Sequence, residues 1–286
     1  MTAHLHLPLA ALPLDAAAPP APTTARPDLV APVEPAAFAL RHVTKRYRDT
    51  TALDDVSFTV RPGELVALVG PSGAGKSTVF RCLTRLVTAD AGHVDVLGTP
   101  IDALHGRALR DVRRKIGLIF QQFNLIGRLS ALDNVLAGRL GHVATWRVAT
   151  RLFPPADRQI ALAALDRVGL LDKAYQRADS LSGGQQQRVA IARVLAQQSR
   201  VVLADEPVSS LDPSSAANVI GVLRDIAREH RIGVLCALHQ VDFARDYADR
   251  IVALRGGRLV LDAPARDFDD AAFSRVYGSE ALAASM

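Results

Sequence analysis

Short apolar runs alternate with helical spacings along most of the chain. Leu65-Val66-Ala67-Leu68-Val69 is one such run, and a glycine-rich stretch follows it. Lys115-Ile116-Gly117-Leu118-Ile119-Phe120, Val201-Val202-Leu203-Ala204 and Gly233-Val234-Leu235-Cys236-Ala237-Leu238 are three more. Runs this apolar, without polar alternation, predict strands covered on both faces. With helical patterns between them, they predict an α/β sheet. From Phe123 to Leu181 the strand signal fades, and Ile160, Ala164, Val168 and Leu171 recur at helical spacing. That predicts a helical subdomain inserted at about residues 122–185. Arg255-Gly256-Gly257-Arg258 predicts a hairpin turn between short strands at Ile251–Leu254 and Leu259–Leu261.

Composition narrows the function classes. The 286 residues are 49% hydrophobic but only 5% aromatic, so the core is aliphatic. The net charge of +5 is mild, and its densest group is Arg110, Arg113, Arg114 and Lys115. No aromatics interleave with these residues for base stacking, so they read as a solvated helix face leading into a strand rather than a nucleic-acid surface. Cys82 and Cys236 sit in apolar contexts without C-x-x-C or Cys/His metal spacing, which predicts reduced, buried, structural thiols. No apolar run approaches the ~18 residues of a membrane span. Residues 1–36 hold 8 of the 16 prolines and no Lys or Arg before Arg26. They predict a disordered extension rather than a targeting peptide.

Three motifs carry chemistry. Gly70-Pro71-Ser72-Gly73-Ala74-Gly75-Lys76-Ser77 fits G-x-x-x-x-G-K-S after a strand and, with Thr78, opens a helix. Such a loop wraps phosphates in backbone N–H groups at a helix N-terminus. Lys76 would neutralise β/γ-phosphate charge and the Ser77 hydroxyl would ligate Mg2+. The run from Val201 ends in Asp205 and Glu206, carboxylates whose place at a buried strand end calls for a cation or a polar site. Asp205 would hold the Mg2+ hydration shell and Glu206 the attacking water. Third, Leu181-Ser182-Gly183-Gly184-Gln185 abuts a helix-forming run to Leu195 and reads as an anion nest at a helix start.

With Gln186-Gln187-Arg188 behind it, the third motif resembles the signature of the ATP-binding-cassette transporter ATPases. The resemblance covers about residues 38–279, with each motif in family order. It implies a P-loop NTPase fold over residues 37–280, with a RecA-like core sheet, an N-terminal antiparallel β subdomain and the inserted helical subdomain; residues 281–286 would be a tail. It implies an ATPase that uses ATP and Mg2+ and works as a sandwich homodimer, in which Ser182, Gly183, Gly184 and Gln185 of one copy cap the nucleotide on the other. Further roles are implied by position. Gln121 matches the glutamine that contacts the metal site and senses the permease. Asp212, in Ser210-Leu211-Asp212, matches a loop that crosses the dimer interface, and it also suits a helix N-cap before Pro213. His239 matches the histidine that contacts the γ-phosphate. Tyr47, 23 residues before Gly70, matches the aromatic that stacks on adenine, the lesser alternative being a packed aromatic.

The segments Phe120–Leu125, Arg128–Ser130, Asn134–Gly141, Thr145–Arg147, Phe153-Pro154, Ala174–Asp179 and Leu238–Asp242 resemble the phosphonate-import branch. That branch implies a peripheral protein on the cytoplasmic face of the inner membrane. Its partners would be integral-membrane permease subunits and, indirectly, an extracytoplasmic phosphonate-binding protein. The permease would dock on Phe123, Leu125, Ile126 and neighbouring helical residues. Rival readings are an importer for phosphate, phosphite or an amino acid, an exporter ATPase, or a non-transport cassette ATPase. The last usually carries coiled coils, zinc modules or a second P-loop. Here Ser77 and Ser182 are 105 residues apart, and no heptads or cysteine pairs lie between them.

Overall fold

The computed structural model describes residues 35–278, apart from 145, 146 and 148–151. Most of the predicted extension, up to residue 34, and the tail from residue 279 lie outside the described residues, as does part of the Thr145–Arg147 segment.

Two sheets form. Strands β1 (Phe38–Tyr47), β2 (Thr50–Val60), β4 (Ala91–Val96) and β5 (Thr99–Pro100) make an antiparallel sheet in the order β2-β1-β4-β5. Strands β3 (Leu65–Val69), β6 (Ile116–Ile119), β7 (Val201–Asp205), β8 (Gly233–Ala237), β9 (Arg250–Arg255) and β10 (Arg258–Pro264) make the second, in the order β10-β9-β3-β8-β7-β6. All neighbours in the second sheet run parallel except the β9-β10 hairpin. Of the four predicted apolar strands, β3, β7 and β8 lie inside this sheet and β6 is its edge, and the hairpin turns at the predicted residues.

The apolar runs are continuous because both faces of this sheet are covered. Side chains alternate along a strand, so each strand feeds two cores. Leu65, Ala67 and Val69 of β3 pack with Val202, Val234 and Ile251 on one side. Val66 and Leu68 pack on the other with Leu235, Val252 and the antiparallel sheet's Phe38, Leu53 and Val94. Cys82 and Cys236 are free and buried, one in each core.

Helix α1 (Lys76–Leu83) follows β3 directly, and α2 (Gly106–Arg113) precedes β6. The basic group on and after α2 is exposed, and Arg113 caps α1 through the Thr84 and Arg85 carbonyls at 3.0 and 2.9 Å. The helical layer consists of α3 (Ala131–Leu136), α4 (Pro155–Arg167) and α5 (Gly183–Ala196). A buried Arg139–Asp157 pair at 2.7 Å ties it together, with Arg139 also donating to the Ala196 carbonyl. The helical spacing that runs through Leu171 in the sequence does not continue as one helix. Helix α4 stops at Arg167, Gly169 takes φ +68°, and Leu171 starts a separate 3-10 turn with 47% of its surface exposed. A left-handed glycine ends a helix whatever the apolar period beyond it. Helices α6 (Pro213–His230), α7 (Val241–Tyr247) and α8 (Asp270–Tyr277) are the last three among the described residues; Asp212 is the N-cap of α6 and Pro213 its first residue. No helix among the described residues is long and apolar enough to cross a membrane.

Candidate active site

The Gly70–Ser77 loop joins the end of β3 to the first turn of α1. Gly75 takes φ +110°, and a Cβ there would stand 2.6 Å from the Ala52 carbonyl oxygen of β2. Gly70, at φ +144°, would meet the Leu254 carbonyl at 2.2 Å. The loop is therefore wedged between backbone on two sides, and only glycine fits these two points. Gly257 in the hairpin turn donates to the Ala74 carbonyl at 3.1 Å, and the Gly70 N–H donates to Tyr277 Oη at 3.2 Å.

Lys76 lies buried in this cradle, its Nζ donating to the carbonyls of Gly70 (2.6 Å) and Pro71 (3.2 Å). Burial lowers its pKa, and Glu206 and Asp205 oppose that shift. An ammonium held by two carbonyls alone has capacity for an anion. The cleft in front of it holds about 290 Å³ and is lined by Thr50, Thr51, Ala52, Ser72 to Thr78, Glu206 and His239.

Asp205 and Glu206 sit where β7 ends, beside β8. Burial raises the Asp205 pKa, the Glu206 carboxylate adds to that, and Lys76, Arg81 and His239 oppose it. Two adjacent carboxylates and a desolvated ammonium suit a divalent cation bound with phosphate. Glu206 adopts φ +50°, unusual for a side chain of its size, and its carbonyl accepts from Ser209 N and Oγ at 3.3 and 3.1 Å. Two residues beyond β8, His239 places Nε2 2.6 Å from Glu206 Oε1. The P-loop, Glu206 and His239 thus share one cleft.

The other predicted residues stand apart from it. Ser182 is the N-cap of α5 in a capping box: its Oγ accepts from Gln185 N at 3.4 Å and its N–H donates to Gln185 Oε1 at 3.0 Å. The box engages the Ser182 hydroxyl as an acceptor and leaves the Gly183 and Gly184 amides at the helix start. A second cleft of about 300 Å³ opens there, lined by Ser182, Gly184, Gln185, Arg188, Ser214, Ser215 and Asn218, with no residue in common with the first. Asp212 caps α6 by accepting from Ser214 Oγ (2.6 Å) and Ser215 N (3.0 Å), which hold its pKa far below the ordinary carboxylate value. Gln121 is exposed just past β6 and lines neither cleft. Tyr47 pairs with Thr50 across the β1-β2 ladder, which puts it one ladder step from the rim of the P-loop cleft, and Lys45 Nζ lies 5.4 Å from its ring centroid.

Two segments distant in sequence run side by side in the helical layer. Ala131 N donates to the Gln176 carbonyl, Ala178 N to Leu129 and Asp179 N to Gly127, all within 3.0 Å. Tyr175 and Ile126, exposed, flank the two ends of this pairing. Gly257, in the predicted hairpin turn, supports the P-loop, as do Thr50–Ala52 and Tyr277, which the sequence does not single out. No local motif marks them, because the sheet order and not the chain brings them there.

Residues 53–209 match the family described as ABC transporter. The chain is 54% identical over 227 residues to the phosphonates import ATP-binding protein PhnC of Frankia casuarinae, covering 79% of this chain and 90% of that one. It is 49% identical to the hypophosphite import ATP-binding protein HtxD of Stutzerimonas stutzeri, covering 84% and 71%. It is 53% identical to the phosphate-import ATP-binding protein PhnC of Mycolicibacterium smegmatis, covering 82% and 91%. Among solved structures, the ATP-binding cassette MJ0796, a dimer in a post-hydrolysis state with ADP and Pi, superposes with TM-score 0.69 at 34% identity, covering 81% of this chain and all of that one. The cbiO1 protein of Clostridium perfringens, part of the transporter complex cbiONQ, gives 0.73 at 28% identity, covering 82% and 90%.

Proposed function

This chain belongs to the ABC transporter family, and from that premise we propose that it is the ATP-hydrolysing subunit of a phosphonate importer. The observation that carries the ATPase reading is the single cleft holding the Lys76 cradle and the Glu206–His239 pair. Phosphate oxygens take the place of the Gly70 and Pro71 carbonyls on Lys76, and the loop amides wrap them. Tyr47 stacks on the adenine. Ser77 and Asp205 would hold Mg2+, which when bound neutralises charge on the phosphates. Glu206 Oε accepts the proton as water attacks the γ-phosphorus, and ADP leaves. His239 keeps the carboxylate aimed and lies against the transferred group. The chemistry needs positioning and charge rather than covalent bonding to the protein.

Two separate clefts in one chain support a two-copy site. The Gly183 and Gly184 amides of one copy close over nucleotide held by the other, with Asp212 at the seam. A permease docks on the paired 127–131 and 176–179 segments, at whose two ends Ile126 and Tyr175 stand exposed, and this puts the subunit on the cytoplasmic face of the membrane. The relatives' names span phosphonates, hypophosphite and phosphate at similar identity. The cargo class that fits them is a phosphorus oxyanion caught by an external binding protein, and the segments quoted from the sequence favour phosphonates within it.

Growth tests this. Cells that lose the gene are expected to fail on a phosphonate as sole phosphorus source and to grow on phosphate, with rescue by the native chain and not by Glu206→Gln. Normal growth on phosphonate with a defect on hypophosphite or phosphate would overturn the cargo and leave the ATPase reading standing.

A further inference from the structure

Arg193, in the third turn of α5, joins that helix to the loop after β6. Its Nη1 donates to the Asn124 carbonyl at 2.6 Å and its Nη2 to the Phe123 carbonyl at 3.2 Å. The guanidinium is largely buried, and burial is what moves its pKa, downward; no carboxylate contributes. A cation withdrawn from water without an acid partner is costly, and here its return is a fork of hydrogen bonds to two backbone oxygens.

Those oxygens belong to an unusual corner. Phe123 and Asn124 are consecutive left-handed residues, at φ 54° and 48°, and neither is glycine. Asn tolerates that region; Phe does so only where its surroundings impose it. The Phe123 ring reaches the other end of the same helix, with Cζ 3.7 Å from where a Gly183 Cβ would be. The α5 backbone is held at Arg193 from the opposite side, since a Cβ on Gly138 would lie 2.3 Å from the Arg193 carbonyl oxygen. Farther along the loop, the buried Asn134 side chain accepts from Ile126 N and donates to Ile126 O.

We infer that Arg193 is a positioning residue: it holds the Phe123–Asn124 corner against α5, so that the Gln121 loop and the Ser182–Gln185 helix start move as one unit. A push on Gln121 is then delivered at Ser182. This rests on the reading that the helix start caps nucleotide bound by a second copy. Lysine replaces Arg193 only in part, because one ammonium nitrogen does not reproduce the rigid planar fork whose two nitrogens reach separate carbonyls.

The test uses the full chain as native protein, Arg193→Lys and Arg193→Leu. MgATP affinity is expected to stay within about two-fold of native, because the P-loop is remote and separate sites act nearly independently. Turnover at saturating ATP is expected to fall about ten-fold or more in Arg193→Leu, with Arg193→Lys between, since small misplacements of a closing group are costly. In the nucleotide-free chain, amide exchange is expected to rise together in residues 121–126 and 182–186 and to stay unchanged in β3 and β8. A general rise across the sheet, or equal loss of affinity and turnover, would make Arg193 a fold-holding residue only. A rise in 121–126 without 182–186, or native turnover in both variants, would remove the coupling. If the native chain neither hydrolyses ATP nor dimerises, the proposed function falls, and the exchange measurement still judges Arg193 by itself.

Discussion

His239 Nε2 and Glu206 Oε1 stand 2.6 Å apart, although 33 residues separate them in the chain. The sheet makes the contact: β7 and β8 are neighbours, and Glu206 N also donates to the Ala237 carbonyl. The imidazole fixes the direction of the carboxylate that is to accept a proton. His239→Ala is expected to cut kcat by about 10²-fold, the scale of a lost acid–base positioning group, while the KM for ATP changes little. Steady-state ATPase kinetics check this, and an equal rise in KM would point to nucleotide binding instead.

Asp205 carries a pH signature. Its raised pKa means that the folded chain binds this proton more tightly than the unfolded chain does. Stability therefore falls as pH rises between the unfolded and folded pKa values, and the full penalty applies above the folded one. Asp205→Asn removes the penalty. Without nucleotide, the variant is expected to melt above the native chain at neutral pH, with the gap narrowing as pH is lowered through the raised pKa. Calorimetry across that range decides it, and a variant that melts lower at pH 7 contradicts it. The same variant should lose the Mg2+-dependent part of ATP affinity.

Tyr277 closes the P-loop from α8 by accepting from Gly70 N. Phenylalanine would keep its stacking on Phe273, whose ring centroid lies 4.8 Å away, and leave the amide without an acceptor. An orphaned amide costs about 1–3 kcal/mol. Denaturant unfolding of Tyr277→Phe should show that loss with an unchanged slope, together with weaker ATP binding.

Legibility followed sequence distance. Gly70–Ser77 and Ser182–Gln185 could be read directly, because each packs turn, anion site and helix start into a few consecutive residues. Asp205, Glu206 and His239 were legible as polar residues ending apolar strands, but their meeting depends on sheet order. Thr50–Ala52 and Tyr277 left no local trace, and Gly257 showed only as a turn residue, for the P-loop is reached from β2, the β9-β10 turn and α8 only after both sheets form. Periodicity failed at Leu171 because apolar spacing continued across Gly169, whose left-handed backbone had already ended the helix.

Tyr47 offers a smaller effect. Removing a stacked aromatic costs about 1 kcal/mol. Tyr47→Ala should weaken ATP binding by roughly that amount in equilibrium titrations and leave kcat near native. An unchanged affinity would make Tyr47 a partner for Lys45 alone.

The two-copy site is tested most directly with Glu206→Gln, which keeps the shape of the side chain and removes its ability to take a proton. Light scattering and ATPase rate are measured on the same sample, with and without MgATP. The expected result is a chain that binds MgATP, has lost nearly all turnover and shifts from monomer to dimer only when the nucleotide is present. A variant that hydrolyses ATP at the native rate, or one that binds MgATP and remains a monomer at every concentration, would contradict the account.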